Sequence, residues 1–205
     1  MIDHLIYGVP DLPKAIDALA RQTGVCPRHG GRHPDRGTHN ALLSLGHRQY
    51  LEIIALDPEQ TNPAALLFPE LRHLVAPALI GWASAVTNIE AARDRVRAAG
   101  LRPIGPLDGA RATAEGKVLR WQTLRIADPR LALLPFFLTW DAMTVHPAAD
   151  SPAGCRLAAL ELTHPDPEAL RRVLRELGVT VTIAAGPRPQ LTARLETPNG
   201  GLTLV

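Results

Sequence analysis

One pattern occurs three times along this 205-residue chain: a short apolar run, an Asp or Asn, an amphipathic segment and a glycine. An Asp or Asn side chain can cap the first turn of a helix, and a glycine after the last turn takes the left-handed conformation without steric cost. The caps would be Asp11, Asn88 and Asp166, and the glycines Gly24, Gly100 and Gly178. The caps lie 77 and 78 residues apart and the glycines 76 and 78, so both landmarks indicate one repeated strand–helix unit.

Each predicted helix is followed by paired apolar runs with turn residues between them, which is typical of β-hairpins. The hairpins would cover residues 40–56, 118–139 and 190–205. Each unit therefore has the order βαβββ, and we predict an α+β fold. The predicted units are 1–78 with an insertion, 79–153, and a shorter third unit at 154–205.

Composition excludes several classes of partner and location. The net charge is +2 with acids and bases interspersed, so we expect neither nucleic acid nor a membrane surface as a partner. No apolar run approaches the ~18 residues of a membrane span, and the N-terminus lacks a signal-peptide pattern, so we expect a cytoplasmic protein. Cys26 and Cys155 are far apart in sequence and are predicted to be free buried thiols.

Several motifs resemble the vicinal oxygen chelate superfamily, and within it the glyoxalase-like branch. His4, seven residues before the first cap, resembles the metal-binding histidine of that family's opening strand, and Glu52 resembles the glutamate of its fourth strand. The segments 30–40, 119–121 and 135–140 are similar to one glyoxalase-like subfamily. The resemblance implies that residues 1–153 form one domain of tandem units, whose mixed sheets curl around a cleft, followed by the third βαβββ-like unit.

The resemblance also implies four metal ligands, two from each of two units, and the repeat allows this to be checked. The positions equivalent to His4 are Gly81 and Ala159, and Phe136 aligns with Glu52. None of these three can ligate through its side chain. A divalent metal held by at most His4 and Glu52 is therefore not the favoured cofactor, although His33 or His39 would be the replacement ligands available.

The candidate site lies mainly in the first unit. The segment 29–40 combines glycines, arginines and histidines, and we predict a functional loop that folds over the cleft. Glu52, His4 and His33 are the predicted catalytic residues. The predicted substrate-binding residues are Arg32, Arg36, Thr38, Asn40, Arg120 and Trp121.

Side-chain direction stays open for part of the second unit. Adjacent residues of a strand face opposite sides of a sheet, so only one of Arg120 and Trp121 is expected in the cleft. Phe136 and Trp140 are either cleft wall or core.

Two functions follow from these features, and the fold does not choose between them. The first is a lyase-, isomerase- or dioxygenase-type enzyme acting on a small oxygenated substrate. The second is a protein that binds or sequesters a small, anionic or amphipathic molecule without metal. A third interpretation, an interaction module, depends only on the third unit. A homodimer is compatible with all three.

Overall fold

The computed structural model describes residues 1–33, 36–60, 68–112, 116–127 and 133–205. The strands are β1 Ile2–Gly8, β2 Arg28–His33, β3 Thr38–Ser44, β4 Tyr50–Leu56, β5 Ala78–Ala85, β6 Pro103–Ala112, β7 Val118–Ile126, β8 Phe136–Trp140, β9 Arg156–His164, β10 Thr182–Ala185, β11 Gln190–Thr197 and β12 Gly200–Leu204. The helices are α1 Leu12–Thr23, α2 Ile89–Ala98, α3 Pro147–Asp150 and α4 Pro167–Glu176, and a 3₁₀ turn spans Pro69–Arg72.

The caps that define the repeat are present in all three units. The side chains of Asp11, Asn88 and Asp166 each accept a hydrogen bond from the backbone N–H three residues later, at 2.9 to 3.0 Å. The glycine after each helix has a φ between 70° and 77°. The helices therefore begin and end where the sequence pattern predicts, for the predicted reasons.

The first two units form one curled eight-stranded sheet in the order β2-β3-β4-β1-β5-β8-β7-β6. Within each unit the first strand pairs in parallel with the last, and β1 and β5 pair antiparallel at the centre. Side chains alternate along β4, so that Glu52 lies on the concave face while Leu51 and Ile53 enter the core on the convex face. The predicted α+β fold is confirmed.

Strand register shows which positions are equivalent in the two units. Ile6 and Ala83 each lie five residues before a helix cap. Ile6 pairs with Glu52, and Ala83 pairs with Phe136. Phe136 therefore occupies the place of Glu52 in the second unit, which agrees with the alignment made from the repeat.

The third unit has the same element order but a different strand order, β10-β9-β11-β12. Its first strand is central and pairs with both neighbours, whereas β1 pairs with only one strand of its own unit. This small sheet shares a core cluster with the convex face of the large sheet, in which Leu162 and Leu191 join Leu43 and Leu51. The boundaries of the three units remain a prediction.

The structure corrects two predictions. The segment 29–40, predicted as a loop over the cleft, is mostly paired strand: β2 and β3 form an antiparallel hairpin at the edge of the large sheet. Cys26 is exposed rather than buried, although it is free as expected, and Cys155 is free and buried. The turn predicted at 127–129 and the strand start predicted at residue 131 fall partly or wholly outside the described residues.

Candidate functional site

The concave face of the large sheet encloses a cavity of about 50 Å³. Its first-unit wall is largely polar and its second-unit wall largely apolar. The first unit contributes His4, His33, Arg36, Thr38, Asn40, Tyr50, Glu52, Ile54 and Phe68. The second unit contributes Arg111, Trp121, Thr123, Phe136, Leu138 and Trp140.

Glu52 is the central carboxylate of this cleft, and its side chain is 12% exposed. Asn40 Nδ2 on the neighbouring strand donates to Glu52 Oε1 at 2.6 Å. Glu52 Oε2 lies 3.7 Å from His4 Nε2, which is beyond hydrogen-bond distance. One oxygen is therefore held by the protein, and the other faces a histidine across a short gap.

His4 is hydrogen-bonded to Asp3 and not to Glu52. The Nδ1 atom of His4 lies 2.7 Å from Asp3 Oδ1, and the imidazole stacks on Tyr50 with ring centroids 4.5 Å apart. Consecutive strand residues normally face opposite sides of a sheet, but the β1–β5 register shifts between Ile2 and His4. This β-bulge leaves Asp3 without a cross-strand partner and is the irregularity that lets the two side chains meet.

The electrostatics of the cleft favour ionised carboxylates. Burial raises the pKa of Glu52, but His33, His4, the hydrogen bond from Asn40 and Arg111 outweigh it and hold the pKa below its usual value. Burial likewise raises the pKa of Asp3, and hydrogen bonds from His146 and His4 lower it far below its usual range.

His33 lies beside the Glu52 carboxylate. Its Nδ1 is 2.9 Å from Thr38 Oγ1. Burial, with a smaller contribution from Arg111 and Arg36, lowers the pKa of His33 to about 4 against the attraction of Glu52. His33 is consequently a neutral imidazole near pH 7 and can accept or donate one hydrogen bond.

Arg111 enters the cleft from β6 and is 7% exposed. Its guanidinium donates to the backbone carbonyl of Gly30 on β2, so it fastens the edge strands of the two units together. Sequence reasoning missed Arg111, as well as Asp3 and His146. The adjacency of Asp3 to His4 was the only signal available for any of them.

Two of the predicted substrate-binding residues lie elsewhere. Arg32 is on the outer surface, where it pairs with Asp57 at 3.3 Å and with Glu59. Arg120 is exposed and does not line the cavity; it lines a neighbouring groove that shares Trp121 and Trp140 with it. His4, His33, Arg36, Thr38, Asn40, Glu52 and Trp121 all line the cavity, as do both Phe136 and Trp140.

The donor set does not fit the four-ligand metal site of the superfamily. The ring centroid of Phe136 lies 5.4 Å from that of His4, so an apolar ring stands where a second carboxylate would be needed. The other equivalent position is Gly81 on β5, which has no side chain. Among the described residues, no group of three or more His, Cys, Asp or Glu side chains is arranged to hold a metal ion.

Comparison with known families matches residues 2–178 to the glyoxalase-like domain. The chain belongs to this family, within the vicinal oxygen chelate superfamily. No curated protein matches it. None of the helices in the described ranges is long and apolar enough to cross a membrane.

Solved structures share the fold at low identity. A hypothetical protein from Staphylococcus aureus aligns with a TM-score of 0.68 and 16% identity, covering 92% of this chain and 87% of that one. Methylmalonyl-CoA epimerase from Streptomyces coelicolor, in complex with 2-nitronate-propionyl-CoA, aligns with a TM-score of 0.50 and 17% identity. That match covers 70% of this chain and 96% of the epimerase.

Proposed function

We propose that this glyoxalase-like protein is an isomerase- or lyase-type enzyme in which Glu52 removes a proton from a small oxygenated anion, without a family-type metal site. The observation that carries this proposal is the Glu52 carboxylate, which is 12% exposed, is kept ionised by its lowered pKa, and has Oε1 fixed by Asn40 and Oε2 facing the cavity. A carboxylate held in this way is a general base whose position and charge are set before the ligand arrives.

The substrate class follows from the two walls of the cleft. The cationic side chains of Arg36 and Arg111 favour a carboxylate or a developing enolate, and Phe136 and Leu138 favour an apolar substituent. A cavity of about 50 Å³ is small beside the several hundred Å³ of a drug-sized pocket, so few atoms can enter.

The proposed step balances within the cleft. A C–H bond next to the substrate carbonyl breaks, its proton passes to Glu52 Oε2, and the electron pair forms an enolate facing Arg111. Return of that proton from Glu52 to the neighbouring carbon of the enolate gives isomerisation, and departure of a leaving group from the next carbon with its bonding electron pair gives elimination.

A non-catalytic binding protein is the second candidate. The unfilled family ligand positions at Gly81 and Phe136 and the small cavity favour it. In that case Glu52 and the arginines would only recognise the ligand.

Solvent exchange separates the two functions even while the product of the reaction is unidentified. Three- to five-carbon 2-oxo carboxylates and two- to five-carbon 2-hydroxy carboxylates are incubated with untagged protein in D₂O, and loss of the signal of the proton on the carbon next to the carbonyl is followed by ¹H NMR. We expect exchange with at least one compound, and Glu52→Gln should slow it by about 10²- to 10⁴-fold. Glu59→Gln, which removes an exposed carboxylate just beyond the same strand, is the matched control and should leave exchange unchanged.

Three results would contradict the proposal. Binding by thermal shift without exchange in the wild type would identify a binding protein. Full exchange in Glu52→Gln would remove Glu52 from the mechanism. Stoichiometric divalent metal in the wild type, lost in Glu52→Ala, would show that the site works through a metal.

A further inference from the structure

The carboxylate of Asp3 is 2% exposed and lies within hydrogen-bond distance of three ring nitrogens. Oδ1 is 2.7 Å from His4 Nδ1, and Oδ2 is 3.1 Å from both Trp140 Nε1 and His146 Nε2. A buried carboxylate surrounded in this way is stable only as the ionised acceptor. The pKa of Asp3, which lies far below its usual range, agrees with this geometry.

The bonds of His146 allow only one arrangement of its protons. Its Nδ1 accepts from the backbone N–H of Ala148 at 3.2 Å and so caps α3. Nε2 must then carry the proton that is donated to Asp3 Oδ2. The indole of Trp140 is always a donor, so Oδ2 is committed to two donors.

The same logic decides the protonation of His4. An ionised carboxylate cannot donate, so the hydrogen bond to Asp3 Oδ1 requires a proton on His4 Nδ1. In the neutral ring, Nε2 is then the nitrogen without a proton. That atom faces Glu52 Oε2 at 3.7 Å.

We infer that Asp3 is a positioning residue that fixes the Nδ1–H tautomer of His4, so that His4 Nε2 and Glu52 Oε2 are two neighbouring hydrogen-bond acceptors in the cleft. This inference rests on the proposed function and deepens it. An organic ligand group that contacts both atoms must be a donor, which favours a substrate with a hydroxyl or amino group beside the carbon that loses its proton. The tautomer is fixed from the far side of His4, as an aspartate orients a catalytic histidine in other enzymes.

The second unit supports a special role for this position. Ile80 lies eight residues before Asn88, as Asp3 lies eight before Asp11, and the β5 register shifts at Ile80 just as the β1 register shifts at Asp3. The bulge therefore belongs to the fold in both units, whereas the carboxylate is present only beside the histidine.

The experiment reads the tautomer directly in the full chain without ligand. Ring nitrogens of uniformly ¹⁵N-labelled protein are recorded by long-range ¹H–¹⁵N correlation at a pH where the His4 ring is neutral, and His4→Gln identifies the signals of His4. We expect a protonated Nδ1 and a bare Nε2, the tautomer that is less common in free histidine. A bare Nδ1 with a protonated Nε2 overturns the inference.

Asp3→Asn tests the cause. The Asn oxygen should turn to the donors on Trp140 and His146, so that its amide donates to His4 Nδ1 and reverses the tautomer. An unchanged tautomer in this folded variant would show that Asp3 does not set it. Asp11→Asn, at the carboxylate that caps α1 and is 40% exposed, is the matched control.

Trp140→Phe keeps the test decisive if Asp3→Asn does not fold. This variant removes one donor but leaves the carboxylate, so His4 should keep its Nδ1 proton, and loss of that proton would contradict the inference. The spectra are recorded without ligand. The tautomer prediction can therefore be wrong while deuterium exchange is observed, and exchange can be absent while the tautomer is the expected one, so the two proposals are distinguishable.

Discussion

Asp3 and Ile80 hold equivalent positions at two matching bulges but have opposite chemistry. Asp3 connects His4, Trp140 and His146 on one side of the cleft. Ile80 packs in an apolar cluster with Phe68 on the other. The site is therefore asymmetric because one unit carries charged and ionisable side chains at positions where its duplicate carries apolar ones.

His33 should contribute to the pH dependence of the free energy of unfolding. Its pKa is about 4 in the folded protein and 6.5 without perturbation, so between these values the unfolded chain holds more protons. The contribution of His33 to the free energy of unfolding should therefore be fully present above pH 6.5 and should decrease as the pH drops toward 4. Urea denaturation across this range should show a shallower fall in His33→Gln than in the wild type.

The neighbouring arginines contribute to this shift, and substitution can test their part. NMR titration of His33 in Arg36→Gln should give a higher midpoint than in the wild type, because one nearby cation is removed. Arg21→Gln, at the end of α1, is the control and should leave the midpoint unchanged. An Arg36→Gln midpoint equal to that of the wild type would leave burial, Arg111 and His39 as the causes.

At this scale the sequence is informative where side chains follow strand alternation. Glu52 and Asn40 are both predicted site residues, and they meet on one face of paired strands. Asp3 was not predicted, because alternation places it opposite His4 and the bulge that overrides alternation has no sequence signature. Arg111 was missed because its partner Gly30 is 81 residues away and the two edge strands approach only in the folded sheet.

At the scale of elements, the segment 29–40 shows that amino-acid composition alone does not predict secondary structure. Its glycines, arginines and histidines are typical of a functional loop, yet ten of its twelve residues are described, and most of these lie in β2 and β3. β2 and β3 pair with each other, and β3 also pairs with β4 over seven residues, which joins this hairpin to the large sheet. Strand pairing of this kind depends on a neighbour distant in sequence, which local propensity does not report.

The helix-terminating glycines should behave as conformational requirements. Gly100 has a φ of 70°, and a Cβ added there would meet no atom within 4 Å. Gly100→Ala should therefore lower the free energy of unfolding by about 1 kcal/mol through the left-handed backbone alone. Chemical denaturation measures this loss.

Gly201 provides the matched control because a Cβ there also meets nothing and its φ is outside the left-handed range. Gly201→Ala should change the free energy of unfolding by less than ~0.5 kcal/mol. Equal losses in the two variants would show that the backbone conformation of Gly100 is not the cause.

At the scale of the whole molecule, the third unit repeats the element order of the first two without their sheet order. The period of caps and glycines predicts the elements because each is a local signal. It cannot predict which strand is central, since that depends on what the sheet packs against. Here the small sheet covers the convex face of the large one through a shared core cluster, and α4 contributes Leu170 and Leu174 to it.

This shared core predicts that the chain unfolds as one body. Leu162 in β9 is fully buried in the cluster, so Leu162→Ala should cost about 2–5 kcal/mol. All three tryptophans lie in the first two units, and Trp82 is 1% exposed at the centre of the large sheet. Tryptophan fluorescence therefore reports on the large sheet while the substitution removes packing from the small one.

We expect the fluorescence and far-UV circular dichroism transitions of Leu162→Ala to coincide and to shift together to lower denaturant. Leu107→Ala, at a position 49% exposed on β6, is the matched control and should shift neither by more than ~0.5 kcal/mol. A fluorescence midpoint that stays at the wild-type value while circular dichroism shows a second, earlier transition would mean that the third unit unfolds independently. The convex face of the large sheet would then be stable without its cover.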